Sequence, residues 1–371
     1  MPRIDEPLIF LSFKYLVAVI GVVLLPISLL NAETATSSSF AQLDKAINEG
    51  QFGDVTSIVV ERNAEIVHER YFEGDATTLR DTRSATKTIA SFLVGTAIQD
   101  EALTGVDQRV FEALGLPDHA NPDPRKTATT LKDLLSMTSV FECNDWNSFS
   151  RGNEERMYLV EDWTKFFVDL PVRGIPPWEP PASERAYGRA HSYCTAGVYI
   201  LGRVTALATN QSIEEYAQQK LFGPLGIETL QWQYSPKGYA QTGGGLRLSS
   251  IALARLGRMH LDQGLARDGT RVLTESWIKE SVEPQARIDE DDDYGYLWWI
   301  KRPTKQAPQF QGPYMSGNGG NRVHLLPELN AVVVITTKNF GQRDAHSRAD
   351  RIMADFVIPA LLKRGERELT R

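Results

Sequence analysis

From Ile89 onward the apolar positions Ile89, Phe92, Leu93, Ala97 and Ile98 follow the three-and-four spacing of a buried helix. Upstream, "VTSIVVERNAEIVHERYF", Val55 to Phe72, carries β-rich runs and predicts two strands around a turn at Arg62 to Ala64. The middle of the chain, about Leu103 to Gly226, reads as helices and long loops, with "TLKDLLSMTS" and "AGVYILGRVTALATN" the clearest helices. Between them lies the proline-rich "PVRGIPPWEPPASERAYG", a composition that suits the wall of a site better than a domain linker. Strand signal returns in "YGYLWWIK", "APQFQGPYMSG", "RVHLLP" and "AVVVITT", the last two joined by a turn at Pro327 to Asn330. An amphipathic helix from about Asp344 to Leu362 closes the chain. Strands at both ends with helices between predict an α+β fold. One antiparallel sheet would be built from the N- and C-terminal segments and flanked by helices, with a mostly helical lobe inserted and a cleft where the lobes meet. The sheet lobe would take about 40–86 and 270–371 and the helical lobe about 87–269, as one two-lobed domain over 33–371.

At 371 residues the chain can bury a large core. Its net charge of −7 gives no basic face for phosphate, which excludes nucleic acid as the expected partner. The N-terminus stands apart. Tyr15 to Leu30, "YLVAVIGVVLLPISLL", is uncharged and apolar, short for a membrane span and suited to a secretory signal ending at Ala32. Residues 1–32 are therefore expected to be a cleaved signal peptide. The alternative is a membrane anchor over residues 8–30, lengthened by Leu8 to Phe13. Either places the body outside the cytoplasm, in the periplasm or beyond. There the two cysteines, Cys143 and Cys194, are a disulfide candidate, with two buried thiols as the alternative.

The head of the helix after Arg80 carries more polar chemistry than capping needs: "SATK", Ser84 to Lys87. Residues three apart share a helix face, with Cβ atoms about 5–6 Å apart. A serine hydroxyl attacks only when a base takes its proton. A desolvated amine gives up its own proton more readily, and a neutral amine beside a hydroxyl is such a base. A first-turn amide also lacks an intrahelical partner and can face an oxyanion. Ser-x-x-Lys is weak alone, and "SWIK", Ser276 to Lys279, is a second copy. There Thr274 reads as the N-cap of a surface helix with no buried run behind it, so that copy is set aside. Two segments support the first copy. "HSYCTAGVYILG" puts Tyr193 just before a buried helix, where a phenol could relay a proton. "YMSGNGGNRVHLLP" puts Asn318, Gly319, Gly320 and Asn321 at a strand entry, where glycines allow close backbone approach by a ligand. A core tyrosine and a hairpin turn are the plain alternatives.

Taken in order, "SATK", "YCT" (Tyr193 to Thr195), "TGGGLRLSSIALARLG" (Thr242 to Gly257) and "NGG" resemble the motifs of the penicillin-recognising serine hydrolases. These comprise class C β-lactamases, D,D-peptidases and related esterases, and the resemblance runs from about Phe52 to Phe356. It implies the β-lactamase/transpeptidase-like fold and acyl transfer without metal or cofactor. Ser84 would be the nucleophile. Lys87 and Tyr193 would move protons, and the oxyanion would lie between the N–H groups of Ser84 and Asn321. It further implies that Cys143 lies in a cleft-edge loop, where a bridge to Cys194 would pin the tyrosine loop. The chain also departs from the pattern. Asn318 stands where the family has a lysine that helps bind a carboxylate, and Arg322 is expected to point away from Asn321. Thr195 stands where the family has an asparagine that binds the substrate amide and supports the lysine. These departures favour an esterase or amidase on a small-molecule or short peptide substrate. The alternatives are a β-lactamase, a D,D-peptidase or a non-hydrolysing penicillin-binding-like protein.

The remaining features do not compete. No Gly-x-Ser-x-Gly elbow occurs, and none of the six histidines has metal-ligand spacing. His191 is expected in a supporting rather than a ligating role. "DEDDD", Asp289 to Asp293, reads as a solvated acidic loop. Trp298 and Trp299 fall on opposite faces of a strand, one for the core and one for the cleft border.

Overall fold

A computed structural model of the chain describes residues 39–368 except 116–117, 175–181 and 304–309. The expected signal or anchor therefore lies outside the described residues.

The large sheet has eight strands: β1 (Val55–Arg62), β2 (Glu65–Tyr71), β6 (Ala286–Arg287), β7 (Asp292–Tyr294), β8 (Trp299–Lys301), β9 (Gly312–Gly317), β10 (Asn321–Leu326) and β11 (Ala331–Thr337). They lie in the order β2-β1-β11-β10-β9-β8-β7-β6, and every neighbouring pair is antiparallel. The N-terminal hairpin thus joins the C-terminal strands, as the pattern at the chain ends predicts. Asn63 and Ala64 turn that hairpin, both at positive φ (51° and 63°), which matches the right-handed twist of the flanking strands.

Strands β1, β9, β10 and β11 are buried on both faces, and period-two alternation assigns each residue to one side. Ile58, Val60, Val333 and Ile335 pack with α1 (39–48), through Phe40 and Leu43, and with the C-terminal helix, through Ile352, Met353 and Leu361. Val59, Val323, Val332 and Val334 face the opposite way, into a core shared with the helical part of the chain. The helix Ser250–Leu261 lies against this second face. A Cβ on its Gly257 would stand 2.7 Å from Val332 Cγ1 and 2.9 Å from Leu325 Cδ2, so the glycine sets how closely helix and sheet approach.

The helix behind "SATK", α2 (Lys87–Gln99), is buried from Lys87 to Ala97 and packs in the same core as the helix Thr195–Thr209. A helix apolar on all sides belongs in such an interior. A small second sheet, β3 (Arg80–Asp81), β5 (Leu246–Leu248) and β4 (Gln231–Trp232), has no counterpart in the sequence reading. It ties the chain just before Ser84 to the chain just after Gly243–Gly245.

Three expectations are corrected. Of "YGYLWWIK", Tyr294 ends β7 and Trp299–Lys301 form β8; the chain breaks between them near Leu297 at φ 59°, which leaves Trp298 outside the strand. The acidic run is solvated only in its first half. Asp292 and Asp293 are buried in β7, where Asp292 accepts from Tyr314 Oη (3.0 Å) and pairs with Lys301, and Asp293 accepts from Tyr187 Oη (2.9 Å) and pairs with Arg287. The last helix runs from Ala345 to Glu368, through a wider turn at Ile352–Val357.

Candidate active site

Ser84 sits in a 3₁₀ turn, Arg83–Thr86, directly before α2. Arg83 is held at φ 52°, left-handed for a residue with a Cβ, and such strain is kept only where the surroundings impose it. Here Arg83 N donates to Asp81 Oδ1 (3.2 Å) and Thr86 Oγ1 donates to the Arg83 carbonyl (3.0 Å). The N-cap position of α2 is Thr86, and no side chain caps it. Ser84 is therefore not spent on capping. Its Oγ accepts a hydrogen bond from Lys87 Nζ at 2.9 Å.

Lys87 is 1% exposed, and its amine also donates to the Gly243 carbonyl. The small sheet brings that carbonyl there by pairing β3 with β5. Lys87 Nζ lies 5.0 Å from the centre of the Tyr193 ring. Burial pushes the Tyr193 hydroxyl above its ordinary 10.0, against the Lys87 charge and a hydrogen bond with Ser84. The phenol thus holds its proton beside the serine. Tyr193, distant in sequence, thus converges on the Ser84–Lys87 pair. The second Ser-x-x-Lys is placed differently: Ser276 and Lys279 are exposed, and Thr274 caps their helix by accepting from Trp277 N (3.3 Å).

The glycine-rich segment divides differently from expectation. Asn321 is fully buried; its carboxamide donates to the Asn318 carbonyl (2.7 Å) and accepts from Thr337 N (2.9 Å). Asn318 is exposed and accepts from Gly341 N (2.9 Å) through Oδ1. Gly319 and Gly320, at φ 89° and 83°, make the turn between β9 and β10. These four residues hold the hairpin together. The backbone that presses on the Arg83–Thr86 turn belongs to Gly317, where a Cβ would stand 1.8 Å from the Thr82 carbonyl oxygen and 3.0 Å from Ala85 N. Arg322, one residue on from Asn321, bonds Ser316 Oγ and lies over the Tyr314 ring at 5.1 Å.

Thr195, expected at a substrate-binding position, is fully buried behind the site. Its N–H donates to Asp145 Oδ2 (2.7 Å) and its hydroxyl to Glu154 Oε2 (3.2 Å). Burial raises the Asp145 carboxyl to about 6, against the pull of the Lys87 charge. Cys143 and Cys194 form a disulfide, with Cα atoms 5.4 Å apart. It joins the loop that carries Asp145 to the residue next to Tyr193.

An aromatic wall borders the three converging side chains. Trp146, 58% exposed, stacks on Tyr193 with ring centres 5.4 Å apart and planes 8° apart. Trp299 lies 6.1 Å from Tyr193 and 6.2 Å from Trp146, while Trp298 is in the core. His191 packs on Tyr294 (5.0 Å) and Trp146 (5.4 Å), and burial lowers its imidazole to about 3. Sequence reasoning missed Asp145, Trp146 and Glu154. Their one local signal is proximity to Cys143.

A family model described as beta-lactamase matches residues 43–356. Among curated proteins, penicillin-binding protein 4 of Amycolatopsis lactamdurans is 31% identical over 197 residues, 46% of this chain and 47% of that protein. The match thus spans about half the length of that relative. A putative 6-aminohexanoate-dimer hydrolase from Bacillus anthracis aligns over 83% of this chain and 80% of its own, at 17% identity and a TM-score of 0.65. EstCE1, a hydrolase with promiscuous acyltransferase activity, aligns over 87% of this chain and 98% of its own, at 14% identity and a TM-score of 0.64. At such identities these structures share the fold.

Proposed function

The chain belongs to the beta-lactamase family, and on that premise we propose that it is an exported serine hydrolase that acts on esters or amides through an acyl-enzyme on Ser84. One observation carries the reading: the buried Lys87 amine is hydrogen-bonded to Ser84 Oγ at 2.9 Å, at the head of a helix. Ser84 Oγ attacks the substrate carbonyl, and its proton passes to Lys87. Tyr193, neutral and hydrogen-bonded to Ser84, donates to the leaving alkoxide or amine. Water then cleaves the acyl-enzyme by the reverse proton path. The oxyanion is faced by the N–H of Ser84 and by backbone at the Gly317–Asn318 strand end, which lies against the nucleophile turn. Export is supported by the Cys143–Cys194 bridge, which persists in an oxidising compartment. No helix among the described residues is long and apolar enough to cross a membrane.

The wall of Trp146, Tyr193 and Trp299 supports an apolar acyl group, and Asn318 offers no charge to a β-lactam carboxylate where the family has a lysine. The test is a panel of short and aromatic acyl esters, amides, a cephalosporin and a D-alanyl peptide on purified protein, with Ser84→Ala as control. Turnover of aromatic acyl esters, absent in Ser84→Ala, is expected. Comparable kcat/KM for the cephalosporin and a short ester would overturn the substrate preference. A burst without turnover on every ester would overturn the hydrolase reading in favour of a binding protein.

A further inference from the structure

Lys87 meets Ser84 in front; what stands behind it is an acidic pocket that the mechanism above leaves unused. We propose that Asp145 is a positioning residue of the Ser84–Lys87 pair: it clamps the Tyr193–Thr195 segment and offsets the ammonium formed on Lys87 when Ser84 gives up its proton. The proposal rests on the acyl-transfer reading and adds a member to its site.

The clamp is explicit in the hydrogen bonds. Asp145 N donates to the Tyr193 carbonyl (2.8 Å), and Asp145 Oδ2 accepts from Thr195 N (2.7 Å). One residue thus grips the chain on both sides of Cys194. Its other oxygen, Oδ1, accepts from Glu154 N (2.9 Å), and its carbonyl accepts from Asn153 Nδ2 (3.1 Å). Thr195 begins a 15-residue helix, so the carboxylate meets the positive end of that helix. Thr195 passes the restraint onward. A Cβ on Gly243 would stand 2.7 Å from Thr195 Cγ2, and the Gly243 carbonyl accepts from Lys87 Nζ. The amine that must point at Ser84 is therefore held by a carbonyl whose neighbour is fixed by Asp145.

The charges follow the same path. The groups facing this pocket are Lys87 from α2, Glu154 and Tyr158 from the helix Glu154–Met157 and the residue after it, and Tyr193 from the bridged loop. Tyr158 Oη donates to Glu154, and Tyr158 and Tyr193 are both pushed up by burial and stay neutral. Lys87 and Glu154 thus act on the Asp145 carboxyl with opposite signs. When the Ser84 O–H bond breaks and the new N–H bond forms on Lys87, positive charge appears within reach of Asp145 and is stabilised. Asp145 takes no proton in that step. Its own titration, about 6, places the loss of this stabilisation on the acid side of neutrality.

The experiment follows acylation of Ser84 by a fluorophosphonate from about pH 5 to about 9 in wild type, Asp145→Asn, Asp145→Glu and Glu154→Gln, with melting temperature beside each rate. In Asp145→Asn the plateau rate is expected to fall about tenfold, the equivalent of one pKa unit of lost stabilisation, and the acidic limb to move to lower pH. Asp145→Glu should restore part of the limb. Glu154→Gln removes the carboxylate that helps hold the Asp145 proton, so its limb should also move to lower pH; this arm decides the matter if Asp145→Asn does not fold. An Asp145→Asn profile that superimposes on wild type, or falls uniformly with its limb unmoved, overturns the proposal. So does an unmoved limb in Glu154→Gln. A wild type that Ser84 labelling never reaches at any pH overturns the acyl-transfer reading itself.

Discussion

At Gly317 the fold leaves no room for a methyl group, because the Thr82 carbonyl would lie 1.8 Å from it. Gly317→Ala must push β9 away from the Arg83–Thr86 turn. A cost of about 1–3 kcal/mol is expected by urea denaturation, together with slower acylation of Ser84, since the displaced backbone is the one proposed to face the oxyanion. Lys87→Ala is expected to slow acylation by about 10²–10⁴, read as the second-order rate of fluorophosphonate labelling, with the fold intact. At this scale the sequence was readable where geometry is local. Ser84 and Lys87 are three apart at a helix head, and helical periodicity alone sets them side by side. Asp145 was not readable, because nothing between positions 145 and 195 says that the Thr195 N–H points at its carboxylate. The Asn321 side chain shows the same limit: no local pattern says that its carboxamide bonds Asn318 and Thr337.

One loop at the site is held without regular pairing. The Asn144–Gly152 loop is irregular, and it is attached to the head of the Thr195–Thr209 helix by the Cys143–Cys194 bridge, 51 residues apart in sequence, and by the Asp145 hydrogen bonds to Tyr193 and Thr195. Removing the bridge in a Cys143→Ala/Cys194→Ala variant is expected to cost about 2–4 kcal/mol. Activity should fall further than that loss alone implies, because the loop also carries Asp145 and Trp146. Melting temperature and ester turnover, with and without reductant, measure both; no change in either would remove the bridge from the argument. Trp146, exposed yet stacked on Tyr193, is the element's proposed contribution to selectivity. Trp146→Ala is expected to raise KM for aromatic acyl esters more than for acetyl esters and to leave kcat for acetyl esters nearly unchanged.

Across the whole molecule the two cores hold titratable groups that acid should expose. His260, between Phe92 and Trp298, is lowered from 6.5 to about 3 by burial, and His324 is lowered well below 6.5 by burial and by Arg322 and Lys301. Both are neutral when folded and take up a proton when unfolded, so the unfolded state binds more protons between the two values. Stability is therefore expected to fall as pH drops from about 6.5 toward 3, by up to about 1.4 kcal/mol per pH unit for His260, with His324 acting in the same direction. Asp145, raised to about 6, works the other way over its own window. Melting temperatures from neutral pH downward should show the decline, and His260→Gln should flatten its slope. The architecture that buries these groups was largely legible in the chain. Period-two runs at both ends and three-and-four runs between them determined an antiparallel sheet with inserted helices, because hydrophobic periodicity is a local consequence of backbone geometry. The order of chemistry-bearing segments likewise determined the family resemblance and the Ser84–Lys87 pair. Only the tertiary structure decided what completes the site. The small β3–β5–β4 sheet carries Gly243 to Lys87, Gly317 presses on the nucleophile turn, Trp299 rather than Trp298 faces Tyr193, and Asp145 stands behind the lysine. Each is a contact between residues far apart in the chain, and such contacts are set by how whole elements pack, which no local pattern encodes.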